Sequence, residues 1–275
     1  SSIYHHRATI AIIKINSTHI SIKYHAMKSI TITSYNIHKG MSPTNRLVRL
    51  MGMKDALLKT NPDILCLQEV QGQNLKRTID FAEFPDGGQH EWFGEFLGIA
   101  SSYGKNAEYE HGHHGNAVLS RHPLDPKHNL NITVNRLEKR GVLHCEVHPD
   151  GWRRPVVVLC CHLNLLHRDR IKQYQAIRDY IVTLPADASL ILAGDFNDWS
   201  KKSCQALSSL GLSEVFLQVH GEYPATFPAK MPVLSLDRIY VRRLKVHNAM
   251  VHGGVPWSNL SDHLPISACV SEMDE

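Results

Sequence analysis

The sequence predicts an α/β protein in which two β-sheets are flanked by a few helices within one domain. Apolar runs of strand length recur along all 275 residues, while stretches with helical spacing are few. A doubly wound parallel sheet would need a helix between most pairs of strands. No repeat, low-complexity tract or Pro/Gly-rich linker divides the chain. A composition of 43% hydrophobic and 20% charged residues suits a soluble globular chain long enough to bury a large core.

Residues 1–26 contain no acidic side chain, and their apolar run is short and broken by Thr9. They lack the long apolar core of a secretory signal. A cleaner strand begins just after Met27, so residues 1–26 are expected to be an N-terminal extension, native or vector-derived, ahead of a single domain over 27–275. The alternative is an edge hairpin, because residues 18–24 alternate with period two.

Residues 29–37 read as a strand with Ile30, Ile32, Tyr35 and Ile37 among Thr, Ser and Asn. Residues 45–59 have helical spacing through Leu47, Leu50, Met51, Ala56 and Leu57, and Asn61-Pro62 ends that helix. Residues 63–70 form a buried strand, and 89–100 a second helix. Strands follow at 115–120, 141–147 and 155–163. Residues 168–183 are helical, with Ile171, Tyr174, Ile177 and Ile181 expected on one side. Strands at 189–193, 236–241, 245–251 and 265–270 complete the pattern.

Five of the six cysteines (Cys66, Cys145, Cys160, Cys161 and Cys269) lie in apolar strand-like runs, and no C-x-x-C pair occurs. They read as buried reduced thiols of a cytoplasmic protein. Cys160 and Cys161 are adjacent, so a strand would send them to opposite faces. No apolar stretch reaches the ~18 residues that span a membrane. The formal charge of +4 fits an anionic substrate without specifying nucleic acid.

One event repeats along the chain. An apolar strand leaves the core and ends in a carboxylate, amide or imidazole: Asn36, Glu69, His162 with Asn164, and Asp195 with Asn197, while Asp262-His263 precedes the last strand. A lone Asp after a strand is usually a turn residue. Several that share one chemistry suggest a site, because strand ends are rigid platforms. Glu69 and Asp195 supply anionic oxygens, and Asn36 and Asn197 neutral ones. This set suits Mg²⁺ or Mn²⁺ better than zinc. In an extended segment Asp195 and Asn197 would face one cleft, with Phe196 packed behind. Asp262 beside His263 offers an acid–imidazole pair, but neighbours in a strand diverge, so a turn or another partner is required. Asp237 is the second candidate, unless it simply pairs with Arg238.

The segments Asn36-Ile37-His38-Lys39-Gly40, Leu67-Gln68-Glu69-Val70, Gly115-Asn116-Ala117-Val118-Leu119-Ser120-Arg121, His162-Leu163, Gly194-Asp195-Phe196-Asn197-Asp198 and Ser261-Asp262-His263 resemble the endonuclease/exonuclease/phosphatase superfamily, in its order. The Asn-Ile-His-Lys-Gly start and the Gly-Asp-Phe-Asn-Asp-Trp signature are similar to an uncharacterised bacterial branch. The resemblance spans residues 29 to 270 or so. It implies a four-layer α/β sandwich, two mixed β-sheets packed face to face with helices outside, and a metal-dependent phosphoesterase site at one end. Residue by residue it implies Glu69 as principal metal ligand helped by Asn36. Asp195 would orient or deprotonate the attacking water, and Asn197 would hold it. His162, His263 and Arg140 would sit at the scissile phosphate. Asp262 or Asp237 would orient an imidazole or help hold metal. Asn116 and His114 are weaker candidates. Cys161 departs from the small polar residue that often precedes the family histidine.

The resemblance leaves the substrate open: DNA, RNA, a phospholipid or sphingomyelin, or a phosphomonoester. Arg153-Arg154, Lys201-Lys202, Arg242-Arg243, Lys39 and Lys105 could follow a phosphate backbone, and Trp199 could stack on a base; both favour a nuclease-type phosphodiesterase. Their bland reading is scattered surface charge. Residues 110–115, rich in histidine, are expected at the rim of the cleft. A catalytically dead binding module, acting as a monomer like the enzyme, is the remote alternative; Glu69, Asp195, Asn197, Asp262 and His263 are all present, which argues against it.

Overall fold

The computed structural model describes residues 9–16 and 19–26 as backbone and residues 28–273 in full apart from the Cys204 side chain. In chain order the first elements are β1 (Thr9–Asn16), β2 (His19–Ala26), β3 (Ile30–Asn36), α1 (Leu50–Thr60), β4 (Ile64–Asn74), α2 (Leu75–Asp80), α3 (Gln89–Leu97), β5 (Ala100–Tyr109), β6 (Gly112–Ser120) and β7 (Leu124–Asn131). Then come β8 (Gly141–Val147), β9 (Val156–His162), α4 (His167–Thr183), β10 (Ser189–Asp195), α5 (Ser203–Leu207), β11 (Ser213–Glu214), α6 (Val215–His220), β12 (Asp237–Arg242), β13 (Leu244–Val251) and β14 (Ile266–Glu272).

Two six-stranded sheets form, in the orders β13-β14-β3-β4-β6-β5 and β11-β12-β10-β9-β8-β7. Both are mixed: β3 runs parallel to β4, and β9 parallel to β10, while the other pairs are antiparallel. Period-two alternation divides the apolar side chains between layers. Ile64 and Cys66 on β4 meet Val156, Val158 and Cys160 on β9 in the core between the sheets. Leu65 and Leu67 point the other way, onto Leu50, Met53 and Leu57 of α1 and Phe93 of α3. Val157, Leu159 and Cys161 back onto Tyr174, Ile177 and Ile181 of α4. The architecture is the four-layer sandwich, and Cys160 and Cys161 lie on opposite faces of β9 as expected. Cys66, Cys145, Cys160 and Cys161 are buried free thiols, whereas Cys269 is half-buried.

Some local readings needed correction. The first helix starts at Leu50, not at 45, because Met41 bridges to Val48 and Asn45 adopts φ 56°. Met53 takes the buried position that Met51 was expected to fill; Met51 is exposed. The second helix stops at Leu97, where Gly98 takes the left-handed conformation (φ 66°). On α4, Ile171 is exposed and Arg170 and Gln173 are buried. Each three-residue step falls about 60° short of a full turn, so Ile171 drifts off the face set by Tyr174, Ile177 and Ile181.

β1 and β2 pair antiparallel, from Thr9↔Ala26 to Asn16↔His19, in a two-stranded sheet of their own. Met27 and residues 1–8, on which the expected boundary also rests, lie outside the described residues. No helix among the described residues is long and apolar enough to cross a membrane.

Candidate active site

The site collects at one end of the sandwich. On one sheet Asn36 pairs with Gln68 at the end of β3, next to Glu69. On the other, Asp195 lies opposite both His162 and Asp237. Gly194 makes the second group possible: a Cβ there would collide with the Cys161 carbonyl oxygen, so β9 and β10 come close just before His162 and Asp195.

Glu69 does not end its strand, as the sequence suggested. β4 continues to Asn74, and the pairing with β6 slips between Leu67 and Val70. Gln68 and Glu69 form a bulge there, and Glu69 takes φ 55°. Asn197 also departs from the extended geometry expected of it, at φ 47°. Its backbone N–H turns back to donate to Asp195 Oδ1 (2.9 Å), and its side-chain Nδ2 donates to the Leu163 carbonyl (2.9 Å). Phe196 is buried behind them as anticipated. His38 and Lys39 are left-handed too. Non-glycine residues in this region store strain, and such residues gather at functional sites.

The polar contacts form a continuous set. His263 Nδ1 donates to Asp237 Oδ2 (2.9 Å), which also accepts from Thr226 Oγ1 (2.6 Å). The other imidazole nitrogen, Nε2, lies 3.6 Å from Asp195 Oδ2, and His162 Nε2 lies 3.5 Å from the same oxygen. Asn36 Nδ2 links the sheets, 3.0 Å from Asp195 Oδ2 and 3.4 Å from Glu69 Oε1. His38 Nδ1 approaches Asp262 Oδ2 (3.3 Å) and Glu69 Oε2 (4.0 Å), and Lys39 Nζ is 3.3 Å from Glu69 Oε2.

Asp262 and His263 are therefore brought to one site but do not pair with each other. Asp237 orients His263, and Asp262 faces His38. Asp237 is not neutralised by Arg238, whose guanidinium donates to the Asp237 and Asp198 carbonyls and lies over the Tyr223 ring (4.0 Å). The carboxylates of Asp195 and Asp237 and the His263 imidazole lie within metal-ligand distance of one another. The His263–Asp237 hydrogen bond makes an oriented imidazole of this group in preference to a ligand set.

Electrostatics separate the roles. Burial opposes a charge on His263, but Asp237 and Asp195 outweigh it and raise its pKa to about 10. Burial pushes Asp195 above the usual carboxylate range, against the pull of His263. His162 goes the other way: burial and then the Arg140 charge hold it well below its ordinary value. Burial opposes ionisation of Glu69 as well, yet His162, Lys39 and His38 hold its carboxyl at about 2. Because His162 is kept neutral, the lasting part of that pull comes from Lys39. Asp262 is lowered despite burial, chiefly by its hydrogen bond with His38.

The donor set fits a hard cation at Glu69. Its Oε2 is buried and accepts no hydrogen bond, although Lys39 Nζ stands 3.3 Å away, and Asp262 offers a second carboxylate across His38. The Asn36 oxygen, expected as a ligand, instead accepts from the His38 N–H (3.0 Å). Exchanging the amide atoms would set that oxygen against two carboxylates, an arrangement that only a cation between them would stabilise.

Arg140 bonds Glu138 (3.1 Å) and leaves Nε buried and unpartnered. His114 is half-buried near Glu69 and Arg140, and desolvation first of all lowers its pKa to about 4. Asn116 is a clamp: its Nδ2 donates to Gly141 and Cys160 carbonyls on the opposite sheet. Sequence reasoning missed His38, Thr226 and Ser261, whose Oγ donates to the Asn36 carbonyl (2.7 Å). His38 and Ser261 lay inside quoted motifs, but Thr226 gave no signal.

The basic pairs divide by position. Val156 and Arg242 mark the ends of β9 and β12 away from His162 and Asp237. Arg153-Arg154 and Arg242-Arg243 thus lie five or more strand steps from the site, roughly 17–20 Å at ~3.3 Å per step. Arg153 and Arg154 face Glu272 and Asp187 there, and Lys105 pairs with Glu108. The two arginine pairs do not track a substrate across the site; Lys39, Lys201 and Lys202 remain at its end, and Lys105 lies level with Val70 through Gly115.

The family model described as "Endonuclease/Exonuclease/phosphatase family" matches residues 33–263. The chain belongs to the endonuclease/exonuclease/phosphatase family. Members of this family are generally divalent-metal-dependent phosphoesterases. An uncharacterised protein, YbhP, from Escherichia coli K12 is 38% identical over 241 residues, 87% of this chain and 95% of its own. YbhP of Shigella flexneri matches equally. The fold is shared with solved members. A Beutenbergia cavernae endonuclease/exonuclease/phosphatase has TM-score 0.70 at 18% identity, covering 89% of this chain and 72% of its own. The human Nocturnin catalytic domain with bound sulfate has TM-score 0.67 at 21% identity, covering 89% and 94%. A humanised D. rerio TDP2 has TM-score 0.66 at 18% identity, covering 88% and 99%.

Proposed function

We propose that this protein is a Mg²⁺- or Mn²⁺-dependent phosphodiesterase of nuclease type that hydrolyses a P–O bond by in-line attack of water. The observation that carries this is the convergence of His162 Nε2 and His263 Nε2 on Asp195 Oδ2, at 3.5 and 3.6 Å, beside Glu69. Glu69, with Asn36 and Asp262, would hold the cation, which supplies positive charge against the phosphoryl oxygens. Asp195 takes the proton of the attacking water, and Asn197 fixes that water beside it. A carboxyl raised by burial is better matched to this task than an ordinary aspartate. His263, held charged and oriented by Asp237, donates to a phosphoryl oxygen; His162 and Arg140 donate to the same group. These donors stabilise the charge that develops in the pentavalent transition state. No covalent intermediate with the protein is required.

The nuclease preference is supported by Trp199, 48% exposed and backed by the Arg170 guanidinium at 4.7 Å, with Lys201 and Lys202 following it. The decisive experiment offers single- and double-stranded DNA, RNA, phospholipids and phosphomonoesters with Mg²⁺ or Mn²⁺ at two salt concentrations. Metal-dependent, salt-sensitive cleavage of a nucleic acid is expected. Preferred turnover of a lipid or monoester would transfer the reading to that class, and no turnover of any phosphoester by folded, metal-loaded protein would sink it.

A further inference from the structure

Next to the carboxylate cluster lies a cavity of about 310 Å³ that reaches Asp262. The loop before α1 contributes Pro43, Leu47 and Arg49, and a second loop contributes Pro228 and Lys230. Both loops are pinned to the site. The Arg49 N–H donates to the Gly40 carbonyl (2.8 Å), and the Ala229 N–H to the Asp262 carbonyl (2.7 Å). The cavity is thus held in register with Asp262, whose Oδ2 stands 3.3 Å from His38.

Its lining is of two kinds. Pro43, Leu47 and Pro228 give apolar walls, and Leu47 is 52% exposed. Arg49 and Lys230 give two cations. Among the described residues neither forms an ion pair, and Arg49 Nε is buried without a hydrogen-bond partner. A buried guanidinium nitrogen left unpaired is costly until an acceptor arrives. The volume lies at the small end of ligand pockets.

We infer that this cavity is a subsite for a second, non-reacting phosphate together with the sugar and base that carry it: the nucleotide beside the scissile phosphate. The inference rests on the phosphoesterase reading above and adds where the neighbouring nucleotide is held. A lipid chain would cover the apolar walls and leave both cations unpaired. An inositol phosphate would satisfy the cations and leave the apolar walls uncovered. A nucleotide satisfies both.

The test is the double variant Arg49→Gln/Lys230→Gln, checked for an unchanged Tm. Two substrates are compared: a 5′-phosphorylated dinucleotide, and bis(4-nitrophenyl) phosphate, which has no second phosphate. The dinucleotide should lose at least about tenfold in kcat/KM, because a remote contact is being removed, and the nitrophenyl ester should be unaffected. Equal loss on both, or loss on neither, overturns the inference. Binding separates this outcome from failure of the phosphoesterase reading. If the wild-type protein turns over neither ester, calorimetric titration with a nucleoside 3′,5′-bisphosphate decides. Binding that weakens at least about tenfold in the double variant sustains the subsite, and no wild-type binding overturns it. Equal affinity for inositol 1,4-bisphosphate overturns the nucleotide assignment.

Discussion

His263 shows how single contacts set chemistry. Its charge comes from Asp237 and Asp195 together, and its orientation from Asp237 alone, because only Nδ1 is hydrogen-bonded. Replacing Asp195 with Asn, or His263 with Ala, is expected to lower kcat by at least about 10²-fold, the low end for losing a general base or a charge-stabilising donor. Steady-state rates near wild type would refute those roles. Glu69 differs, since its carboxyl is held ionised at about 2. Glu69→Gln should raise the Mn²⁺ concentration required for half-maximal activity, and an unchanged metal titration would count against it as a ligand. The residue types were readable in advance, but their partners were not. Asp262 stands beside His263 in sequence, yet it faces His38, 224 positions before it, because the backbone turns between strands.

At the scale of elements, α6 begins on a buried acid. Glu214 Oε2 accepts the Leu217 N–H (2.8 Å), and burial raises its pKa from 4.5 to about 7. The folded state therefore binds this proton more tightly than the unfolded chain, and stability falls as pH rises from 4.5 to 7. Each unit of separation contributes about 1.4 kcal/mol at most. Glu214→Gln should flatten that part of the pH profile in urea denaturation and leave the variant the more stable at pH 8; an unchanged slope would refute it. The elements also differ in how plainly they are written. β4, β9, β10 and β12 are covered on both faces and contain continuous apolar runs, whereas β3 alternates Ile and Tyr with Thr, Ser and Asn. β5 and β7 are edge strands, and β7 is mostly exposed and contains Pro126, so neither carries an apolar pattern. The bulge at Glu69 depends on pairing with β6, information that a single strand does not contain.

Across the whole molecule, the strands carry function at one end and surface ion pairs at the other. Residues 1–26 are expected to be dispensable, and a chain starting at Met27 should keep its Tm and activity; loss of folding would assign the β1–β2 hairpin a structural role. Two sheets flanked by helices were legible in the strand and helix patterns, and the family resemblance added their four-layer stacking, while the site needed the two sheets brought together. Neither sheet owns that site. Asn36 and Glu69 come from one, His162, Asp195 and Asp237 from the other, and Asn36 Nδ2 spans the gap to Asp195 at 3.0 Å. A refolding chain with one sheet formed holds half of the machinery. In a stopped-flow refolding experiment, ester turnover should return with docking of the sheets, later than the far-ultraviolet signal of the strands. Activity that recovered with the first strand signal would mean that the halves find each other before the core between them closes.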